Sequence, residues 1–275
     1  MRVGLGEQLA QGSRSAVFAW GRGAVAKVPF SSTPDQWIHF EARYTAAVHD
    51  AGAPAPRFLG IETVNGRAAS IYERVDGRSM WDHMLERPDE VRVHTRSLAE
   101  LQLQLFSLVP PVTVPTLWDR LRCKIRRAST LVDPALAGAL ELIPSDGSSR
   151  LCHGDLHPGN VIMSARGPIL VDWFDVARGN PLGDIARTSL LMWARAHGRN
   201  GPGHLPGSDP LLLDLVRDSY LEAITDLAAT ESAELRRWEA VAAVARVAEG
   251  VAIDALGGIW SEWRSTSSIA LGVGR

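Results

Sequence analysis

Cysteine is scarce in this chain of 275 residues: only Cys123 and Cys152 are present, far apart in the sequence. This scarcity argues against a disulfide framework and is typical of proteins from a reducing compartment. No apolar run approaches the ~18 residues that a membrane span requires. The first residues, which include Glu7 and Gln8, contain no signal-peptide core. We therefore expect a cytoplasmic protein without a membrane partner.

An excess of charge of either sign is also lacking. The 29 Lys and Arg residues and 31 Asp and Glu residues leave a net charge of -2, which gives no drive toward nucleic acid. Residues 120–127 (RLRCKIRR) are a local basic run. Because no aromatic residues are interleaved with it, we interpret the run as a solvated helix face. We expect a monomer that binds a small molecule.

The G-x-x-x-x-G-K-[ST] sequence of P-loop NTPases is absent, but residues 151–160 (LCHGDLHPGN) indicate phosphoryl transfer by another route. In kinase-type chemistry, one aspartate orients or accepts the proton of the attacking hydroxyl, while an asparagine and a second aspartate hold Mg²⁺ against the ATP phosphates. Asp155, Asn160 and Asp172 have these types in this order. His153 stands two positions before Asp155, and Asn160 five after it, as in the H-R-D-x-x-x-x-N loop.

Other interpretations of residues 151–160 stay open. His153 and His157 could be metal ligands, although the glycines and proline around them predict a loop that would not direct both rings to one ion. The fragment G-D-L-H also resembles part of a metallophosphoesterase site, but that family requires a Gly-Asn-His, and here valine follows the Gly-Asn pair. In an inert loop, Asp155 would only cap a turn.

Residues 1–75 have the pattern of a small twisted sheet with one helix. The β-prone runs cover residues 15–20, 24–30, 57–64 and 67–73. The first two runs are joined by Gly-Arg-Gly and the last two by Asn65-Gly66, a strong hairpin signal. Between the pairs, residues 35–50 carry apolar side chains at helical spacing, ended by a following glycine and proline. The predicted order is strand, strand, helix, strand, strand.

Lys27 falls on the second predicted strand and Glu41 within the helix. A strand lysine that is fixed by a helix glutamate holds the nucleotide phosphates in kinases, and the apolar neighbours of Lys27 match V-A-I-K. The alternative is a solvated strand lysine. Ahead of it, residues 10–17 keep only Gly12 of the G-x-G-x-x-G template, and we expect Ser13 and the N–H groups around it to contact phosphate.

These motifs, together with residues 72–77 (YERVDG), resemble those of the aminoglycoside phosphotransferase and choline kinase superfamily, whose members are protein-kinase-like small-molecule kinases. The resemblance implies an α+β, bilobal fold with a small antiparallel-sheet N-lobe of one helix and a larger, mainly helical C-lobe. The lobes would be residues 1–76 and 77–275. Carried over by position, the resemblance makes Asp155 the catalytic base and Asn160 and Asp172 the Mg²⁺ ligands.

The resemblance also implies the nucleotide contacts. Lys27, paired with Glu41, would bind the phosphates, Tyr72 would be the gatekeeper, and the backbone of Glu73 and Val75 would hydrogen-bond adenine. Asp184 resembles the family aspartate that braces the catalytic loop. Its alternative role is that of a negative charge at a helix N-terminus.

Departures from the protein-kinase pattern point to a small acceptor. Asp172 is followed by Trp-Phe without the glycine of D-F-G, no A-P-E follows, and only twelve residues separate Asp172 from Asp184. That interval is too short for the activation loop that presents a peptide. We expect ATP- and Mg²⁺-dependent transfer of the γ-phosphoryl group to a hydroxyl of an aminoglycoside-like antibiotic, an amino alcohol or a sugar. The alternative is a nucleotide-binding regulatory module without transfer activity.

The second half is predicted to be mainly helical apart from one hairpin. Helices are expected at residues 91–109, 211–227 and 233–255, and hairpin strands at residues 161–163 and 169–173. The Gly- and Pro-rich residues 198–210 could form a lid or rim. Side chains that could line the acceptor pocket are Trp193, Trp260, Trp263, Glu231, Glu234, Glu239, Glu249, Asp254 and Glu262, but no spacing singles any of them out.

Overall fold

The computed structural model describes residues 4–131, 149–197, 209–228 and 232–251. The N-terminal part is an antiparallel five-stranded sheet with the strand order β1-β2-β3-β5-β4. The strands are β1 (Leu5–Gln11), β2 (Ser15–Trp20), β3 (Ala24–Pro29), β4 (Phe58–Val64) and β5 (Arg67–Glu73). The four predicted strands are confirmed, and β1 is an additional strand. In β1 the side chains after Leu5 are exposed. Because β1 is an edge strand that is held by backbone pairing with β2, its sequence shows no alternation of apolar and polar residues.

Helix α1 (Asp35–Asp50) has the predicted bounds. Its buried face is Ile38, Glu41, Ala42, Tyr44, Thr45 and Val48, whereas Phe40, one of the apolar side chains at helical spacing, is 39% exposed. The helix packs against β5 and against the segment that follows Asp172. Glu41 therefore lies on the inner side of the helix, toward the sheet and the second lobe.

The connection between the lobes is a short strand, β6 (Gly77–Ser79), which pairs with the hairpin of the second lobe. Gly77 has φ +156°, and a Cβ at this position would come within 2.3 Å of the Met163 carbonyl oxygen, so only glycine fits. The five-stranded sheet ends at Glu73, and this pairing belongs to the second lobe. We propose the lobe boundary at residue 76 on this basis.

The second lobe contains the helices α2 (Met80–Glu86), α3 (Val91–Ser107), α4 (Leu117–Ala128), α5 (Pro181–His197), α6 (Pro210–Ala228) and α7 (Ser232–Val247). Its strands are β7 (Arg150–Cys152), β8 (Val161–Ser164), β9 (Gly167–Leu170) and β10 (Ala177–Gly179). Leu98 and Leu105 of α3, Leu190 of α5 and Tyr220 of α6 are fully buried in one core. This confirms the predicted α+β, bilobal class and the predicted helices at residues 91–109 and 211–227. The predicted helix 233–255 is wrong at its end: α7 stops at Val247, and residues 248–250 form a turn in which Gly250 has φ +90°.

Several predicted features lie outside the described residues. They are most of the 198–210 loop, residues 252–255 of the predicted 233–255 helix, and Glu231, Asp254, Trp260, Glu262 and Trp263. Cys123 is exposed, Cys152 is buried, and neither forms a disulfide. In the part of the chain that the structure describes, no helix is long and apolar enough to cross a membrane.

Candidate active site

The loop after β7 brings Asp155 to the boundary between the lobes through a glycine at φ +77°. A Cβ at Gly154 would lie 2.1 Å from the backbone oxygen of Asp175, so the close passage of the two segments requires glycine. The buried ring of His153 packs on Trp173, with centroids 4.4 Å apart, and its Nδ1 accepts the Asp155 N–H at 3.2 Å. Burial lowers the pKa of His153, so the ring is neutral and stabilises the bend at Asp155.

The second histidine of the loop has a separate role. His157 Nδ1 accepts the Gly159 N–H at 3.0 Å, which caps the 3₁₀ turn Pro158–Asn160. The Nδ1 atom of each histidine therefore accepts a backbone N–H within the loop. No group of three or more His, Cys, Asp or Glu side chains that could hold a metal occurs among the described residues. The histidine-metal interpretation of the loop gains no support.

Asp184 braces the loop from the first turn of α5. Its side chain is buried, Oδ1 accepts the Gly154 N–H at 2.8 Å, and Oδ2 accepts the His153 N–H at 3.2 Å. Gln102 of α3 donates to Oδ2 at 2.9 Å. A buried carboxylate with three donors is well satisfied, so of its two predicted roles the structure supports the bracing one.

Asn160 stands beside Asp155, and its backbone pairs with Val171, the residue before Asp172, as the hairpin prediction requires. Asn160 Nδ2 donates to the Asp155 carbonyl oxygen at 2.8 Å and lies 3.3 Å from its Oδ2. The Asn160 carbonyl accepts the Val171 N–H at 3.0 Å. The predicted strand 169–173 is wrong at its end: β9 stops at Leu170, because Asp172 adopts the left-handed conformation with φ 65°.

Lys27 connects the sheet, α1 and Asp172. Its Nζ donates to Glu41 Oε1 and lies 3.3 Å from Asp172 Oδ1. Burial opposes the charge of the ammonium, but the carboxylates of Asp172 and Glu41 outweigh it and raise the pKa of Lys27. The lysine is therefore a fixed cation at the lobe boundary and not the solvated strand lysine of the alternative interpretation.

A cavity of about 680 Å³ separates the two lobes at this point. Its apolar lining comes from both lobes: Leu9, Val17, Val25, Pro56, Tyr72, Ile162, Val171 and Trp173. Its charged lining includes Lys27, Glu41 and Asp172, with Asn160 beside them. On β3, Val25 pairs with Tyr72 near the lobe junction, and Lys27 pairs with Ser70. Lys27 therefore lies two residues farther from the junction than Val25 does. Apolar side chains line the cavity next to the junction, where charged residues also line it: Glu73, Arg74, Asp76, Arg78 and Asp82. The group of Lys27, Glu41 and Asp172 lies farther along β3.

The remaining predicted nucleotide contacts are distributed around this cavity. Tyr72 is buried, and Glu73 and Val75 line the cavity at the junction. The Glu73 N–H donates to the Arg57 carbonyl oxygen at 2.9 Å. In the β1–β2 turn, Gly12 and Ser15 line the cavity. Ser13 is exposed at the tip of the turn and Asp155 lies beyond the lining.

An ion network behind Asp155 was missed by the sequence analysis. Arg187 of α5 donates through Nε to the Gly154 carbonyl and through Nη1 to Glu249 Oε1 at 2.8 Å. Its Nη2 lies 3.7 Å from Asp155 Oδ1 and 3.7 Å from Asp175 Oδ2. The carboxylates of Glu249, Asp175 and Asp155 raise the pKa of the Arg187 guanidinium against the effect of burial. The loop that carries Asp155 therefore contacts a buried, permanently charged guanidinium.

Two members of the network correct the interpretation of residues 120–127. Arg122 and Arg126 are exposed as predicted, but the side chains of Arg120 and Lys124 are only 16% and 17% exposed. Lys124 Nζ lies 2.9 Å from Asp175 Oδ1 and 2.6 Å from Glu249 Oε1. Arg120 and Lys124 stand four residues apart and therefore lie on the same side of α4, next to its buried residues. This spacing was the sequence signal that both side chains could face inward.

Two of the candidate acceptor carboxylates are occupied by internal contacts. Glu239 accepts from Ser189 Oγ at 2.8 Å and pairs with Arg217 at 3.4 Å, and Glu249 belongs to the Arg187 network. Trp193 is partly buried, with the Arg217 guanidinium 5.0 Å from its ring centroid. Neither these two carboxylates nor Trp193 stands free to receive a polar acceptor.

A small sheet lobe above a helical lobe, with a lysine-glutamate pair facing an Asp-Asn-Asp set, defines a protein-kinase-like fold and site. The model of the phosphotransferase enzyme family matches residues 6–201. The chain belongs to this family. A comparison with curated protein sequences gives no match.

Solved structures of small-molecule kinases share the fold. A thermostable variant of the aminoglycoside phosphotransferase APH(4)-Ia, in complex with AMP-PNP and hygromycin B, is 18% identical over 98% of this chain and 94% of that chain, with a TM-score of 0.60. The Streptomyces rimosus phosphotransferase APH(3'')-Id with ADP and streptomycin is 18% identical over 87% and 91%, with a TM-score of 0.55. A choline/ethanolamine kinase family protein from Mesorhizobium loti is 14% identical over 90% and 78%, with a TM-score of 0.52. At these identities the likeness establishes the fold.

Proposed function

We propose that this protein transfers the γ-phosphoryl group of ATP, with Mg²⁺, to a hydroxyl of a small molecule. The observation that carries the proposal is the convergence of Lys27, Asn160 and Asp172 at one cavity, with Asp155 in contact with Asn160 just beyond the lining. Asn160 contacts Asp155, and Lys27 contacts Asp172, so residues far apart in sequence form the set that phosphoryl transfer requires. The acceptor class that we propose is an aminoglycoside-like antibiotic, an amino alcohol or a sugar.

The proposed nucleotide site rests on the side chains that line the cavity. The apolar walls near the junction suit an adenine ring beside the gatekeeper Tyr72. Because the Glu73 N–H is engaged by Arg57, adenine would be held by the Glu73 carbonyl and the Val75 N–H. Lys27 would bind the phosphates, with Ser13 and the N–H groups of the β1–β2 turn above them.

The donors Asn160 and Asp172 fit a magnesium ion that is bound together with phosphate. The Asn160 amide gives its N–H to Asp155, which leaves its oxygen as a ligand, and Asp172 adds one carboxylate. Mg²⁺ commonly binds through one or two carboxylates plus phosphates and water, not through an all-protein cage. When bound, the ion would neutralise charge on the phosphate oxygens.

Asp155 would act as the general base toward the acceptor hydroxyl. His153 fixes its N–H, Asn160 holds its carbonyl, and Arg187 lies against the far side of its carboxylate. These contacts fix the carboxylate before substrate arrives, and fixing a catalytic group in this way lowers the entropic part of the barrier. The structural relatives support the chemistry, since their complexes contain AMP-PNP or ADP with hygromycin B or streptomycin.

The test is ATP consumption with a panel of hydroxylated amines, sugars and antibiotics, for the wild type and Asp155→Ala. We expect at least one acceptor to raise the Mg²⁺-dependent rate. Asp155→Ala should lower that rate by a factor on the order of 10² to 10⁴, the range for a lost general base. Native turnover by Asp155→Ala would remove this residue from catalysis.

The alternative is a regulatory module that binds nucleotide without phosphoryl transfer. Two features favour it: the β1–β2 turn contains few glycines, and the glycine of D-F-G is missing. The two functions differ in the slow Mg²⁺-dependent hydrolysis of ATP in the absence of any acceptor. A competent kinase site passes phosphate to water at a low rate, whereas a pure sensor binds ATP and leaves it intact.

A further inference from the structure

Arg14 stands on the β1–β2 turn, and its backbone is fixed from several sides. The Gly12 N–H donates to the Ser15 carbonyl at 2.9 Å and closes the turn. The Arg14 carbonyl accepts the Phe30 N–H at 2.9 Å and the Thr33 hydroxyl at 2.7 Å. The origin of the side chain is therefore well defined, and removal of the side chain leaves these backbone contacts in place.

The guanidinium of Arg14 reaches from this turn to the second lobe. Its Cζ lies 4.5 Å from the ring centroid of Phe174, the second residue after Asp172, and 6.0 Å from that of Trp37 in α1. The two rings are themselves 5.1 Å apart. Stacking on an aromatic face holds a cation in place and leaves the edge N–H groups of a guanidinium available for other bonds.

Four carboxylates act on this cation without pairing with it. Burial opposes the charge of the guanidinium, but Asp172, Asp175, Asp155 and Glu41, in that order, outweigh it and raise the pKa of Arg14. Yet within the described residues no carboxylate lies within ion-pair distance of the Arg14 guanidinium. The nearest acids already have other cations.

Gly12 and Ser15, which flank Arg14, line the cavity, and Phe174 follows Asp172 by two residues. Arg14 therefore stands at the edge of the cavity, on the side of Asp172. Asp155 and Asp172 are the proposed base and metal ligand, so the transferred phosphoryl group must pass between them. An arginine near this point, carried by the turn that covers the phosphates, has the charge and the geometry to bind phosphate oxygens through two N–H groups.

We propose that Arg14 is a further catalytic residue, whose guanidinium binds the γ-phosphoryl group of the donor nucleotide and stabilises its charge during transfer. The inference rests on the proposed function. Arg14 does not line the cavity in this structure. The proposal therefore requires the side chain to rotate from Phe174 toward the phosphates, while the backbone contacts of Arg14 hold the turn in place.

The competing role of Arg14 is structural: a clamp that joins the turn to Phe174 and Trp37. The two roles differ in which nucleotide they affect. A ligand of the γ-phosphoryl group distinguishes a triphosphate from a diphosphate, whereas a clamp between the lobes affects both equally.

The experiment is calorimetry of Mg²⁺-ADP and Mg²⁺-AMP-PNP binding to the wild type, Arg14→Ala, Arg14→Lys and Arg22→Ala. Arg22, exposed in the β2–β3 turn, is the control for the change in net charge. We expect Arg14→Ala to weaken AMP-PNP binding by roughly 10- to 100-fold, the loss of a charge-assisted bidentate contact. ADP binding should change less than about twofold, and Arg14→Lys should show an intermediate loss for AMP-PNP.

Equal weakening of both nucleotides in Arg14→Ala, or no weakening of either, would overturn the inference. A melting temperature of Arg14→Ala close to that of the wild type confirms that the variant is folded. If Arg14→Ala does not fold, Arg14→Lys, which keeps the charge, is compared with the wild type instead. Because binding is measured without turnover, a wild type that binds AMP-PNP but transfers nothing would overturn the proposed function and leave the assignment of Arg14 to the γ-phosphoryl group standing. A wild type that binds neither nucleotide would overturn both.

Discussion

The carboxylate of Glu249 is the acid whose removal should cost most stability in the network behind the catalytic loop. It lies 2.6 Å from Lys124 Nζ, 2.8 Å from Arg187 Nη1 and 2.5 Å from Arg246 Nη1. Burial raises the pKa of this carboxyl group, but Arg187, Lys124 and Arg246 outweigh burial and lower it from 4.5 to about 2. At about 1.4 kcal/mol per pKa unit, this difference corresponds to about 3 kcal/mol of stability at pH 7.

The pKa of Glu249 is lower in the folded chain than in the unfolded one. Its contribution is therefore fully present above pH 4.5 and is lost as the pH falls toward about 2. Glu249→Gln keeps the size of the side chain and removes the charge. We expect the variant to lose about 3 kcal/mol in the free energy of unfolding at pH 7, and only about 1 kcal/mol at pH 3.

Urea unfolding of the wild type and Glu249→Gln between pH 7 and pH 3 measures this difference. Glu234→Gln is the matched control, because Glu234 is exposed on α7 and its removal should change stability by less than about 0.5 kcal/mol at any pH. If Glu249→Gln lost the same free energy of unfolding at every pH, the charge of Glu249 would not be the cause. A loss no larger than that of Glu234→Gln would contradict the prediction as well.

Two further changes test the loop and the metal site. Gly154→Ala should destabilise the protein by clearly more than Gly66→Ala: both glycines have φ near +78°, but a Cβ at Gly154 meets a backbone oxygen at 2.1 Å whereas one at Gly66 meets nothing within 4 Å. Gly66→Ala should cost only the backbone strain of about 1 to 2 kcal/mol, and equal losses in urea unfolding would show that the close contact is unimportant. Asp172→Ala should abolish the mutual strengthening of ATP and Mg²⁺ binding that linkage requires, while adenine binding persists. Calorimetry with and without Mg²⁺ checks this, and an unchanged enhancement would place the ion elsewhere.

Local pattern was sufficient for much of the fold and the core of the site. Helix α1 begins and ends at the predicted residues because its periodicity and its glycine-proline end are local signals. The contact of Lys27 with Glu41 was implied by a motif whose geometry is fixed by neighbouring elements. Local sequence pattern is most informative where a single helix, strand or loop determines the spacing of the residues.

The features that were missed depend on contacts between distant segments. The edge strand β1 carries no apolar alternation, because its backbone alone pairs with β2. The inward turn of Lys124 is caused by Asp175, 51 residues later in the chain. The approach of Arg14 to Phe174 likewise joins the two lobes. The spacing of a charged residue within its own helix or strand does not indicate which distant residue it contacts. Such contacts are therefore found only in the three-dimensional structure.

The most direct test of the central claim is the fate of phosphate label placed in the γ position of ATP. The protein would be incubated with labelled ATP, Mg²⁺ and the panel of hydroxylated amines, sugars and antibiotics, and the products separated. We expect the label to appear on the hydroxyl of at least one organic acceptor, and Asp155→Ala to lower its appearance at least a hundredfold, the order of magnitude for a lost general base. Label that remains on ATP throughout, although the nucleotide is bound, would show that the protein transfers no phosphoryl group to these acceptors.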